Sequence, residues 1–224
     1  LSNSGGGNHA QVTDANAIDL GTVGVGGNLT VIAGGAITDS GVVTVGGDSI
    51  FNNVAGTNAA IDLGSASTYT GNVTFTTDAP SDVTITDNSA FAIQAGLNVN
   101  NLSITSTGGV TDLGDIDIDG TLTVSAAGQT VDLSGAGSND VTGAVTLTGA
   151  AVTLADTTAT VIAGITATGA LGVTSGGAIT QSGAIDADST SSFIAGTNAI
   201  TLTEATNDFG TLDVNGGVTD LAVT

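Results

Sequence analysis

Leu29-Thr30-Val31-Ile32-Ala33-Gly34-Gly35-Ala36-Ile37-Thr38-Asp39-Ser40-Gly41 returns, nearly phrase for phrase, as Leu171-Gly172-Val173-Thr174-Ser175-Gly176-Gly177-Ala178-Ile179-Thr180-Gln181-Ser182-Gly183. A looser copy runs from Leu102 to Gly114. The leading leucines at 29, 102 and 171 set a long repeat of about 70 residues. A second phrase recurs downstream of the first: Ala55-Gly56-Thr57-Asn58 returns as Ala195-Gly196-Thr197-Asn198, and more loosely as Ala127-Gly128-Gln129-Thr130. On this period the chain is one continuous array cut at 29–101, 102–170 and 171–224, the last repeat incomplete and 1–28 the end of a preceding one.

Short alternating runs recur inside each repeat about every ten residues, as in Leu29-Thr30-Val31, Val83-Thr84-Ile85-Thr86, Leu122-Thr123-Val124 and Val145-Thr146-Leu147-Thr148. Apolar side chains fall on one face and Thr on the other, which is the period-2 signature of a half-buried strand. Gly-Gly and Gly-Asn pairs such as Gly26-Gly27-Asn28, Gly46-Gly47 and Gly216-Gly217 separate the runs, and are expected to supply positive φ at sharp corners. No segment carries an apolar 3.6 period, so no helix is expected.

Two all-β architectures fit. In a parallel β-helix (β-solenoid) each turn stacks on the next at about 4.8 Å. Small β-branched residues fill it, and three turns of 20 to 25 residues would make one repeat. The alternative is a row of tandem small immunoglobulin-like β-sandwiches, which need about 100 residues each and a bulky core residue such as Trp. Units of about 70 residues without any Trp favour the solenoid.

Composition excludes several function classes. The chain has 21 acidic residues and no Lys or Arg, a formal net charge of −21. Such a chain cannot release counterions from a nucleic-acid backbone and is repelled by anionic membrane surfaces. No apolar run is long enough to enter a bilayer as a helix. A hydrophobic share of 40% argues against a disordered acidic tail. Cysteine is absent, which removes disulfides and thiolate metal sites. The chain starts at Leu1 without Met, shows no leader peptide, and stops mid-pattern at Thr224, so both ends are expected to continue in a longer protein.

The Gly34–Gly41 run, its copy at Gly176–Gly183, and the Gly27-Asn28-Leu29-Thr30-Val31 phrase resemble filamentous-haemagglutinin-type repeats of giant bacterial surface proteins and two-partner-secretion exoproteins. That resemblance implies a right-handed parallel β-helix, export to the cell surface or beyond, and a part in adhesion, matrix or filament formation. The partners it implies are copies of the chain itself or flanking repeats, with extracellular matrix or a host surface as the ligand of an adhesin. It brings no catalytic residues with it.

Individual residues add little chemistry. His9 is the only histidine and has no Cys partner, so Ser-His-Asp catalysis has nowhere to run. A polyuronate lyase would need a basic proton acceptor that the chain lacks. A carboxylate-pair glycosidase, the other β-helix carbohydrate-active enzyme, lacks aromatic sugar platforms. The chain is therefore expected not to be an enzyme. Asp115-Ile116-Asp117-Ile118-Asp119-Gly120 opens like a calcium loop, but the twelfth position is Ala126 where an EF-hand needs Glu. Read as a strand, Ile116 and Ile118 point inward and the three aspartates outward, leaving weak surface calcium as the only cofactor expectation. Thr-x-Thr pairs, from Thr68/Thr70 to Thr201/Thr203, raise ice binding as a reading of a different class. Their uneven intervals predict ordinary outward Thr, since a flat ladder needs a constant step per turn.

Overall fold

The computed structural model describes residues 1–3, 5–53, 58–77, 80–135, 138–214 and 221–223. The Gly216-Gly217 pair and the Ala55–Thr57 phrase lie outside them. Alternating apolar and small polar residues build strands of a few residues each, and turn residues end them. The turn that opens on the repeat phrase has three: Leu29–Ala33 on a first face, Ile37–Asp39 on a second and Val43–Val45 on a third. Their alternate residues Leu29, Val31, Ala33, Ile37, Val43 and Val45 are fully buried. No helix occurs among the described residues.

Each strand pairs in parallel with its counterpart one turn on, Leu29 beside Ser49, Ile37 beside Ile61 and Val45 beside Tyr69. The second face carries an unbroken parallel ladder of ten strands, from Ile18–Leu20 to Asp208–Val214. The fold is thus a β-solenoid of about ten turns. Parallel pairing at every step of this ladder rules out tandem sandwiches, whose sheets are antiparallel. Steps range from 17 residues (Val145 to Ile162) to 24 (Ile37 to Ile61). Two of the three largest fully buried side chains, Phe51 and Tyr69, sit at 24-residue steps. Phe51 stacks on Phe75 at 6.0 Å and meets Tyr69 edge-on at 5.9 Å.

The long repeat is not a whole number of turns. The copies of the leading phrase fall on different faces: Leu29–Ala33 on the first, Leu102–Ser106 in the ladder of the second, and Leu171–Ser175 in that of the third. Three turns from Leu29 reach Leu97–Val99 on the first face, one strand short of Leu102. Each repeat therefore advances three turns plus one face, and three repeats complete about ten turns.

Corners are built alike in each repeat, whichever face they join. Asp14, Asp87 and Asp156 each accept, through Oδ1, the N–H of the residue two further on, Asn16 at 2.9 Å, Ser89 at 3.1 Å and Thr158 at 3.0 Å. These are Asx turns, which bend the chain by a local side-chain bond. In the next turn Gly35, Gly108 and Gly177 lie against Ala17, Ala90 and Ala159, where an added Cβ would fall 2.8, 2.5 and 2.8 Å from their backbone. Positive φ, expected at Gly26-Gly27 and Gly46-Gly47, occurs at neither pair. Gly34, Gly35, Gly46, Gly47, Gly176 and Gly177 do not have positive φ; they are glycine because adjacent turns touch. Positive φ occurs elsewhere, at Gly7 and Gly96 and, in the other phrase, at Asn58, Gly128 and Gly196; the last two lie inside turns closed by Gln129 and Asn198 N–H groups on the Ala126 and Ala195 carbonyls.

One seam interrupts the first face. Val73–Thr77 pairs along its whole length with Ser49–Asn53, yet on its other side it pairs only through Val73 with Ile93. Leu97–Val99 belongs to a separate three-stranded ladder with Ile116–Ile118 and Asp140–Val141. Across the gap the Thr77 hydroxyl donates to the Asn98 carbonyl at 3.4 Å.

Candidate functional site

The Asp115–Asp119 stretch is a first-face strand. Ile116 and Ile118 are buried and all three aspartates are exposed. Alternation puts the three on the same outward side, each two residues from the next. Asp115 accepts the Ser138 N–H, and Asp117 accepts from Asn98 Nδ2 at 2.8 Å. Asp117 pairs in the ladder with Asp140. Loss of surrounding water, then the charges of Asp119 and Asp140, hold the Asp117 carboxyl above its ordinary range. No group of three or more His, Cys, Asp or Glu side chains that could hold a metal ion occurs among the described residues. His9 is exposed, and its Nδ1 accepts the Asn28 N–H at 2.9 Å.

The hydroxyls on the second face are arranged differently from the sequence expectation. Thr84, Ser103, Thr123 and Thr146 are successive ladder partners, and so are Thr86, Thr105, Ser125, Thr148 and Thr166. They form two straight rows on one face, with Ile85, Ile104, Val124, Leu147 and Ile165 stacked and buried beneath. Uneven sequence intervals do not prevent an even ladder, because the corners absorb the extra residues. Counting only Thr also missed Ser103 and Ser125, which complete the rows. None of these nine hydroxyls bonds to another described residue. Ser65, Ser89, Ser106 and Ser175 at the corners, by contrast, are all engaged.

At the seam a cavity of about 270 Å³ reaches the core between Phe75, Phe91 and Leu97, with Thr76, Gln94 and Asn98 at its rim. Its lining holds no titratable side chain. Carboxyls inside the solenoid escaped the sequence reading: Asp87, Asp112 and Asp156 are buried and Asp39 is half-buried. Burial raises Asp39, against hydrogen bonds from Ser65 and Ser67, and burial raises Asp87, against those from Ser89 and the Tyr69 N–H. Asp39 and Asp87 each end a strand, where alternation alone places a polar residue inside a corner.

A family model described as repeats of unknown function (DUF5649) matches the chain three times in succession, over residues 6–79, 80–148 and 149–220. Its cuts fall about one turn before those chosen on the leucine phrase, a different phase on a period of similar length. No curated protein and no solved structure matches the chain.

Proposed function

Since the chain belongs to the DUF5649 repeat family, with three copies joined head to tail, we propose that it is a structural segment of a secreted or cell-surface protein, acting as a stiff spacer or fibre element. The observation that carries this reading is the ten-strand ladder of the second face, which crosses both junctions between copies without interruption. A chain paired in that way transmits length and stiffness; it does not flex as beads on a string. Its partners are flanking repeats or further copies of itself, and any contact with matrix or a host surface is made by the finished rod. On this reading the segment has no catalytic role, an expectation that rests on a single histidine and on the lack of Lys, Arg and Cys.

Small-angle scattering of the isolated chain tests the rod, with a length of about 50 Å expected from about ten turns. A flexible, expanded profile would refute it. Antibodies raised against the chain test the placement, and are expected to label intact producing cells or the material they shed. Label seen only after permeabilisation would overturn export while leaving the rod intact.

A further inference from the structure

The two hydroxyl rows of the second face are not a by-product of the repeat. Equivalent residues of successive repeats turn from face to face, whereas the rows stay on one face and cross the 148/149 junction from Thr148 to Thr166. Their members therefore occupy unrelated repeat positions. Over the same turns the first face carries Thr74, Asn98, Asp117 and Asp140, and the third carries Ala92, Thr111, Asp132 and Thr153. Only the second face is uniform, with eight successive outward positions on four turns all Thr or Ser. Charge begins beyond its ends, at Asp62 beside Thr84 and Asp186 beside Thr166, and at one corner with Asp82.

We infer that this face binds ice, as a rigid grid of hydroxyl and methyl groups that holds water in a lattice-like layer. Parallel pairing sets the rows' step at about 4.8 Å, and two residues along a strand separate the rows by about 6.6 Å. That rectangle lies close to the repeat of water oxygens on a prism face of ice. The hydroxyls have no described protein partner, so all of them are available to water. Packed Ile, Val and Leu beneath keep them in place. A second copy of the chain is the weaker occupant. Four turns of five-residue strands offer about 20 Å by 17 Å, well under the ~800 Å² per partner of a stable interface, and the chains repel through a charge of −21 each.

The test is ice-recrystallisation inhibition and thermal hysteresis of the whole chain, with circular dichroism to check folding. The chain is expected to inhibit recrystallisation, Thr105→Tyr to remove the effect, and Thr44→Tyr on the third face to keep it. The double change Ser103→Thr with Ser125→Thr, which restores the missing methyls, is expected to raise activity and serves if Thr105→Tyr misfolds. An unchanged chain indistinguishable from buffer would overturn the inference. So would equal losses in the two Tyr variants, no gain from the Ser-to-Thr pair, or sedimentation showing a dimer that Thr105→Tyr dissociates in the absence of ice activity.

Discussion

A Cβ on Gly34 would stand 2.1 Å from the carbonyl oxygen of Ala15 in the turn below, and the same is true of Gly176 over Thr157. Neither backbone can retreat without breaking the ladder bonds beside it, such as Gly34 N–H to the Asp14 carbonyl at 2.9 Å. Gly34→Ala is therefore expected to destabilise by about 1–3 kcal/mol, as overpacking does. Gly24→Ala, with nothing within 4 Å and an ordinary φ, should be neutral or stabilising by up to ~1 kcal/mol. Melting temperatures of the two variants decide between close approach and a generic glycine effect. At the same scale, Asp39 and Asp87 have folded-state pKa values above their ordinary ones, chiefly from burial. The folded state thus binds protons more tightly than the unfolded. Their contribution is full below the unfolded carboxylate value of about 4 and is lost as pH rises through the raised values. Thermal stability should increase on acidification from neutrality, and Asp87→Asn should flatten that rise. The general repulsion of 21 acids acts in the same direction, so the readout is the difference between the two melting curves across pH.

Strands differ in how well their two edges are satisfied. Val83–Asp87 pairs along both sides, with Ile61–Tyr69 and with Leu102–Ser106. Val73–Thr77, in the turn before, has one complete partner and faces the seam on the other side. Backbone groups pointing into the seam lack the ladder that protects their counterparts, and protection from exchange follows the local cost of opening. Amides of Val73–Thr77 should accordingly exchange with deuterium sooner than those of Val83–Asp87. Equal protection would mean that the seam is closed in solution. The aromatic cluster of Phe51, Tyr69 and Phe75 beside it compensates in part, placing large side chains where the longest steps widen the interior.

For the whole molecule the dominant fact is a rod with 21 acids and no Lys or Arg. Side-by-side contact meets like charge on both partners, with a range of about 8 Å at physiological ionic strength. Salt should favour lateral association by screening. Calcium should do so at much lower concentration, by bridging carboxylates such as Asp115, Asp117 and Asp119 on neighbouring rods, since oxygen ligands from separate chains suffice for that ion. Light scattering and electron microscopy across salt and calcium check this. Bundling indifferent to both would mean that a specific surface, and not repulsion, governs association.

Much of the fold is legible in the chain itself. Alternation in Val83-Thr84-Ile85-Thr86 states which side chains go in, and the buried Ile85 between exposed-side Thr residues agrees with it. The leucine phrase states that the unit recurs about every 70 residues. These are local properties, carried by neighbours one or two residues apart or by direct self-similarity. What stands beside what is not local. Thr84 lies next to Ser103, Ser103 next to Thr123 and Thr123 next to Thr146, at intervals of 19, 20 and 23 residues. No interval in the sequence announces those rows, nor the one-face advance of each repeat. Backbone hydrogen bonding between turns enforces a constant step of about 4.8 Å however many residues a corner contains. Loops absorb the irregularity, so the even surface exists only once the turns are stacked.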